Sequence, residues 1–225
     1  MPRQGLRPRL ASTLSEFREH LPYTLFAALA GVGLLGLVSF FADLTAREDL
    51  LPDASEDLFH TMHFFHLFLS AMATTAMFWR YEHRFARAVL IGIMGTVLPC
   101  GASDVFFPFL GGQLLGVSMT MHICLVEHPL MVWPFLLAGV IGGVLLPPVK
   151  QTTHFAHGGH VFLSSAASVL YLVAFGAADW LRFAPAIFVL LVLAVLVPCC
   201  TSDIAFPLLL TRSGPSLCRD SDRAL

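Results

Sequence analysis

The 225 residues are 56% hydrophobic and only 12% charged, with a mean hydropathy of +0.76. Soluble domains are about a quarter charged, so the composition excludes an ordinary soluble domain and predicts an all-α integral membrane protein. The net charge of −2 comes with no basic face that would track phosphates, which excludes nucleic acid as a partner.

In chain order, residues 1–22 form a polar segment with four arginines, followed by an apolar stretch at 23–42 long enough to cross about 30 Å of hydrocarbon. That stretch is longer than the apolar core of a signal peptide and reads as a retained helix. An acidic loop at 43–57 precedes a second span at 58–79, a basic turn at 80–87 and a third span at 88–110. Residues 111–126 read as a linker, a re-entrant or interfacial segment, or an extension of the next span. Spans four to six are expected at 127–146, 154–178 and 183–210, and a polar tail at 211–225. Pro99 and Pro198 are expected to break the third and sixth spans.

Basic residues alternate between loops. The N-terminal segment, the 80–87 turn, Lys150 and the tail hold all of them except Arg47 and Arg182. The positive-inside rule therefore puts both termini in the cytoplasm with six spans between. A compact chain of this kind suits a bacterial inner membrane, and homo-oligomers are compatible with it.

The chain also repeats itself. His60-x-x-His63-x-x-His66 returns 94 positions later as His154, His157 and His160. Pro99-Cys100-x-x-Ser103-Asp104 returns 99 positions later as Pro198, Cys199, Ser202 and Asp203. A weaker echo relates Glu19-His20 to Glu127-His128 at an offset of 108. Three spans per copy is odd, so the second copy enters the membrane upside down. This predicts two inverted repeats, 23–110 and 127–210, an architecture of many transporters and channels.

Helical rise puts His60, His63, His66 and Asp104 in the outer part of the membrane, and His154, His157, His160 and Asp203 in the inner part. The reading is two similar polar clusters, one open to each side. Burying six imidazoles and two carboxylates in lipid is costly without a function, and His with carboxylate is the ligand set of transition metals. These eight residues are the candidate metal ligands. Glu127, His128, Glu19, His20, Cys100 and Cys199 are candidate additional ligands, and Pro99, Ser103, Pro198 and Ser202 mark the helix breaks along the pathway. No catalytic residue is assigned. For the aspartates the competing reading is a helix cap after each proline; for the histidines it is hydrogen bonding to carbonyls.

Five cysteines, an odd number and mostly in or beside apolar runs, argue against a disulfide framework. There is no G-x-x-x-x-G-K-[ST], H-E-x-x-H or C-x-x-C-H motif. The function expected is a transporter or channel for a divalent transition-metal cation, with Zn²⁺ the first guess. A metal-dependent intramembrane enzyme is the alternative, because the same residues can activate water or oxygen. A proton or small-solute channel without metal is the third reading.

Overall fold

The computed structural model describes residues 6–145 and 152–200; the side chains of 6–17, Glu19, Tyr81, 152–157, Cys199 and Cys200 are outside that description. The described residues are all-helical. Helix α1 (Leu6–Leu44) is followed by α2 (Leu51–Tyr81) and α3 (Phe85–Gly101). A π-helical turn (Ala102–Phe106) joins α3 to α4 (Phe107–Leu114). After an irregular stretch come the short α5 (Cys124–Glu127), then α6 (Pro129–Leu145), α7 (Thr152–Ala174) and α8 (Ala184–Cys200).

Three segments are long and apolar enough to cross a membrane: His20–Leu44, Phe85–Leu114 and Trp180–Pro198. Pro129–Leu145 and Gly158–Ala174 are shorter apolar helices. The distribution of side chains fits lipid rather than water outside. Leu29, Phe40, Leu90, Leu98, Leu130 and Leu193 are all more than half exposed, while His66, Asp104, Ser164 and Ser168 are fully buried. Water favours the reverse arrangement.

The acidic stretch is less of a loop than its composition suggests. Helix α2 begins at Leu51 with Pro52 in its first turn, so Asp53, Glu56 and Asp57 are helical. Proline and carboxylates both suit a helix start, where donors lack partners and the dipole is positive. The 111–126 segment divides: residues 111–114 finish α4, 115–123 is irregular, and α5 supplies a single turn.

The expected breaks at the prolines are corrected. Pro99 lies inside α3 and Pro198 inside α8, and neither helix stops there. A proline removes one helical hydrogen bond, but neighbouring helices and local readjustment tolerate that loss in lipid. The irregularity falls instead at the π turn, which begins at Ala102.

Helix α2 is the spine of the bundle and packs on α6, α7 and α3. Its approach to α6 depends on Gly139 and Gly143, one turn apart. A first side-chain carbon at 139 runs into the Phe68 carbonyl, and one at 143 into that of Met72. Small residues at this spacing let backbones touch where lipid offers no hydrophobic drive to association. On the far side α7 packs on α1 and α2. Trp180 ties the α7–α8 connection to α1 by donating its indole N–H to Ser39 Oγ at 2.9 Å.

Gly139→Ala has no room for its methyl and should destabilise the bundle by about 1–3 kcal/mol. Thermal unfolding in detergent should show a lowered midpoint, whereas Gly33→Ala, which meets nothing within 4 Å, should leave it nearly unchanged.

Candidate metal centre

The centre is built on one face of α2. His60, His63 and His66 climb that helix at about 4.5 Å per step. The structure gives them different partners, so the triad is divided between two neighbouring groups.

Asp104 anchors the buried group. The π turn carries Ser103, Asp104 and Val105 into the interior. His63 Nδ1 lies 2.9 Å and His66 Nδ1 2.6 Å from Asp104 Oδ2. Ser103 Oγ and Ser164 Oγ donate to Oδ1 at 2.7 and 2.8 Å. Four donors converge on a group that, as a carboxylate, only accepts. No side chain caps the π turn, so the capping reading of Asp104 gives way to one in which the carboxylate links three helical segments. Ser168 supports this arrangement, its one hydroxyl proton shared between the carbonyls of Ser103 at 3.0 Å and Ser164 at 2.7 Å.

Asp104 also sets the chemistry of the two imidazoles. Where Nδ1–H is donated to the carboxylate, Nε2 is left for other partners, the relation by which carboxylates orient metal-binding histidines. His66 Nε2 faces His160 Nε2 at 3.3 Å, and Cys100 Sγ at 3.7 Å. Two nitrogens on one tetrahedral ion at bonds of about 2.0–2.1 Å lie about 3.3 Å apart. The ligand atoms of His63, His66 and Asp104 fall within 4.8 Å of one another, so this buried group can hold a metal ion with Asp104 as a ligand, in place of its hydrogen bonds from the two rings.

The second group lies one step back along α2. His60, His122 and His128 bring three ring nitrogens within 4.8 Å of one another. His60 Nε2 is 3.0 Å from His122 Nε2. Glu127 Oε2 lies 2.9 Å from His122 Nδ1, while its Oε1 accepts the Ile123 N–H at 3.1 Å. Tyr171 fastens the irregular stretch to α7: its hydroxyl accepts the His122 N–H at 3.0 Å and donates to the Thr120 carbonyl. The His122 ring stacks on Phe175, 4.6 Å apart and inclined by 9°.

Of the expected residues, the structure therefore joins His60 with His128 and Glu127, and His63 and His66 with Asp104, Ser103, Cys100 and His160. The expectation of two clusters is altered in one respect, since His160 of the second triad meets the first. His20 is half-buried in α1, its carbonyl accepting the Thr24 hydroxyl at 3.1 Å. The side chains of Glu19, His154, His157 and Cys199, and all of Ser202 and Asp203, lie outside the described residues. Cys124 is buried, and burial pushes its thiol up to about 12.

His122, Ser164 and Tyr171 have no place in the sequence reading. His122 has no repeat mate, which left it without a signal. Ser164 had one, because Ser70 stands at the matching place in the first copy.

Comparison with protein-family models, with characterised proteins and with solved structures finds no match for this chain.

Removing the carboxylate leaves two buried imidazole donors and the Ser164 hydroxyl without that acceptor, while Ser103 keeps the Cys100 carbonyl. Asp104→Ala should cost about 3–5 kcal/mol of stability. Ser164→Ala removes one bond to a charged group and should cost about 1.5–3 kcal/mol. Denaturant or thermal unfolding in detergent tests both, and Asp104→Ala should be the more severe.

Proposed function

We propose that the chain is a membrane transporter for a divalent transition-metal cation, with Zn²⁺ the first candidate cargo. In this reading six helices form two inverted three-helix repeats with both termini cytoplasmic, and the histidines of α2 and α7 line the route.

The observation that carries the proposal is the meeting of His66 with His160, Nε2 to Nε2 at 3.3 Å. These residues are repeat mates, 94 positions apart. Mates touch one another only near the axis that relates two copies, and transporter sites with inverted repeats lie at that interface, near the bilayer midplane. The spacing suits a shared ion.

From the start of α2 inward the side chains offer His60, then His63 and His66 with Asp104, then His160. The two groups share no residue, but His66 belongs to the Asp104 group and also faces His160, so ligands stand at successive depths and limit how far an ion travels bare in the low-dielectric interior. Asp104 supplies the one negative charge in the buried group and offsets part of the ion's charge. Imidazole, carboxylate and thiol together suit borderline ions, whereas Mg²⁺ and Ca²⁺ favour oxygen shells. The inner steps of the route are assigned to His154, His157 and Asp203 by the repeat alone.

Uptake into sealed proteoliposomes, assayed over a panel of divalent metals, tests the proposal. Saturable uptake is expected for Zn²⁺ and abolished in His66→Ala. A proton and a metal ion compete for the same imidazole lone pair, so uptake should fall as the bath is made more acidic. Metal retained by the purified protein with no flux of any ion would favour an intramembrane metalloenzyme. Flux of protons without metal binding would favour a channel that uses the same titratable residues.

A further inference from the structure

His60, His122 and His128 come from three different places: the face of α2, the irregular stretch before α5, and the residue just before α6. Nothing in the repeat pattern requires them to meet. Yet His60 and His122 point their Nε2 atoms at each other across 3.0 Å, and the His128 ring centre lies 4.8 Å from that of His60 and 5.3 Å from that of His122. Two facing imidazole nitrogens are satisfied by one shared proton or by one shared cation. Three such nitrogens have more lone pairs than a single proton can serve.

We propose that His60, His122 and His128 form a second transition-metal site, distinct from the Asp104 centre, whose occupancy fastens the 115–128 segment onto α2. Three features mark it as a built site. Glu127 Oε2 lies 2.9 Å from His122 Nδ1, while Nε2 of the same ring faces His60, the placement of a carboxylate behind a metal-binding histidine. The same carboxylate is itself anchored, accepting the Ile123 N–H. Tyr171 and Phe175 fix the backbone and ring of His122 from the other side. The donor set is three neutral nitrogens with an oriented carboxylate behind one of them, and three protein ligands leave a coordination position for water or a passing ligand.

The chemistry predicts selectivity. Zn²⁺, Co²⁺ and Ni²⁺ should bind, and Mg²⁺ and Ca²⁺, which prefer oxygen ligands, should not. His60 and His128 are only half-buried, while His63, His66 and Asp104 are buried. The second site is therefore the more accessible of the two and should fill first. Because its ligands come from α2 and from both sides of α5, a bound ion links those elements.

The test is a Co²⁺ titration of the full chain in lipid nanodiscs, read by visible absorption. The wild type should bind one more equivalent of Co²⁺ than His122→Ala, and Asp104→Ala should keep the equivalent that His122→Ala loses. Glu127→Gln should retain the site with affinity lowered by about 10–100-fold. His128→Gln repeats the loss from a side chain that holds no loop backbone in place, so a folding defect in His122→Ala does not decide the matter. Equal Co²⁺ binding by wild type, His122→Ala and His128→Gln would overturn the proposal. Metal uptake is a separate readout: absent uptake with this site intact counts against transport alone, and normal uptake with no cobalt lost on substitution counts against this site alone.

Discussion

A carboxylate inside a helical bundle has to be answered by donors, and Asp104 is answered by four. Removing such a charge from water costs several kcal/mol even after relaxation, so the chain must bring the donors together wherever Asp104 goes. They come from three segments: the histidines from α2, Ser103 from the π turn itself and Ser164 from α7. The mutual orientation of these segments follows from one buried group. The π turn has a part in this, since the extra residue in its turn widens the helix where Ser103 and Asp104 enter the interior.

The same interaction sets the direction of the imidazoles. Because Asp104 takes the Nδ1 side of His63 and His66, the opposite nitrogens are left for other chemistry, and His66 uses its own toward His160 and Cys100. Glu127 is placed similarly at His122, its Oε2 2.9 Å from Nδ1. Two carboxylates on two different elements each stand behind a histidine whose Nε2 faces another imidazole. An interfacial histidine that merely hydrogen-bonds to a carbonyl needs no such support. Around this polar interior, Gly139 and Gly143 hold α6 close to α2, and large apolar side chains cover the outside.

Much of this was legible in the sequence because polar residues in apolar surroundings are rare enough to count. The pairing of the first triad with Asp104 followed from equal depth along neighbouring helices. The division of the triad was partly legible too, since three histidines at i, i+3 and i+6 spread too widely for one ion. The contact of His66 with His160 was not, because it depends on how α2 and α7 pack, which no local pattern encodes. His122 was missed for a related reason: a single histidine in an irregular stretch gains meaning only when Tyr171 and Glu127 fix where it lies. Pro99 misled in the opposite sense. Its ring and missing N–H argue for a break, but in a packed apolar helix the alternatives for the backbone are worse.

The central claim is that the Asp104-oriented histidines hold a transition metal. X-ray absorption at the zinc edge, on Zn²⁺-loaded protein carrying His122→Ala, isolates that centre from the second site. About one tightly held zinc is expected in a shell of nitrogen and oxygen at about 2.0–2.1 Å, with imidazole scattering, lost when Asp104→Ala is added. Zinc that washes away, or that keeps an unchanged shell when Asp104 is gone, would contradict it.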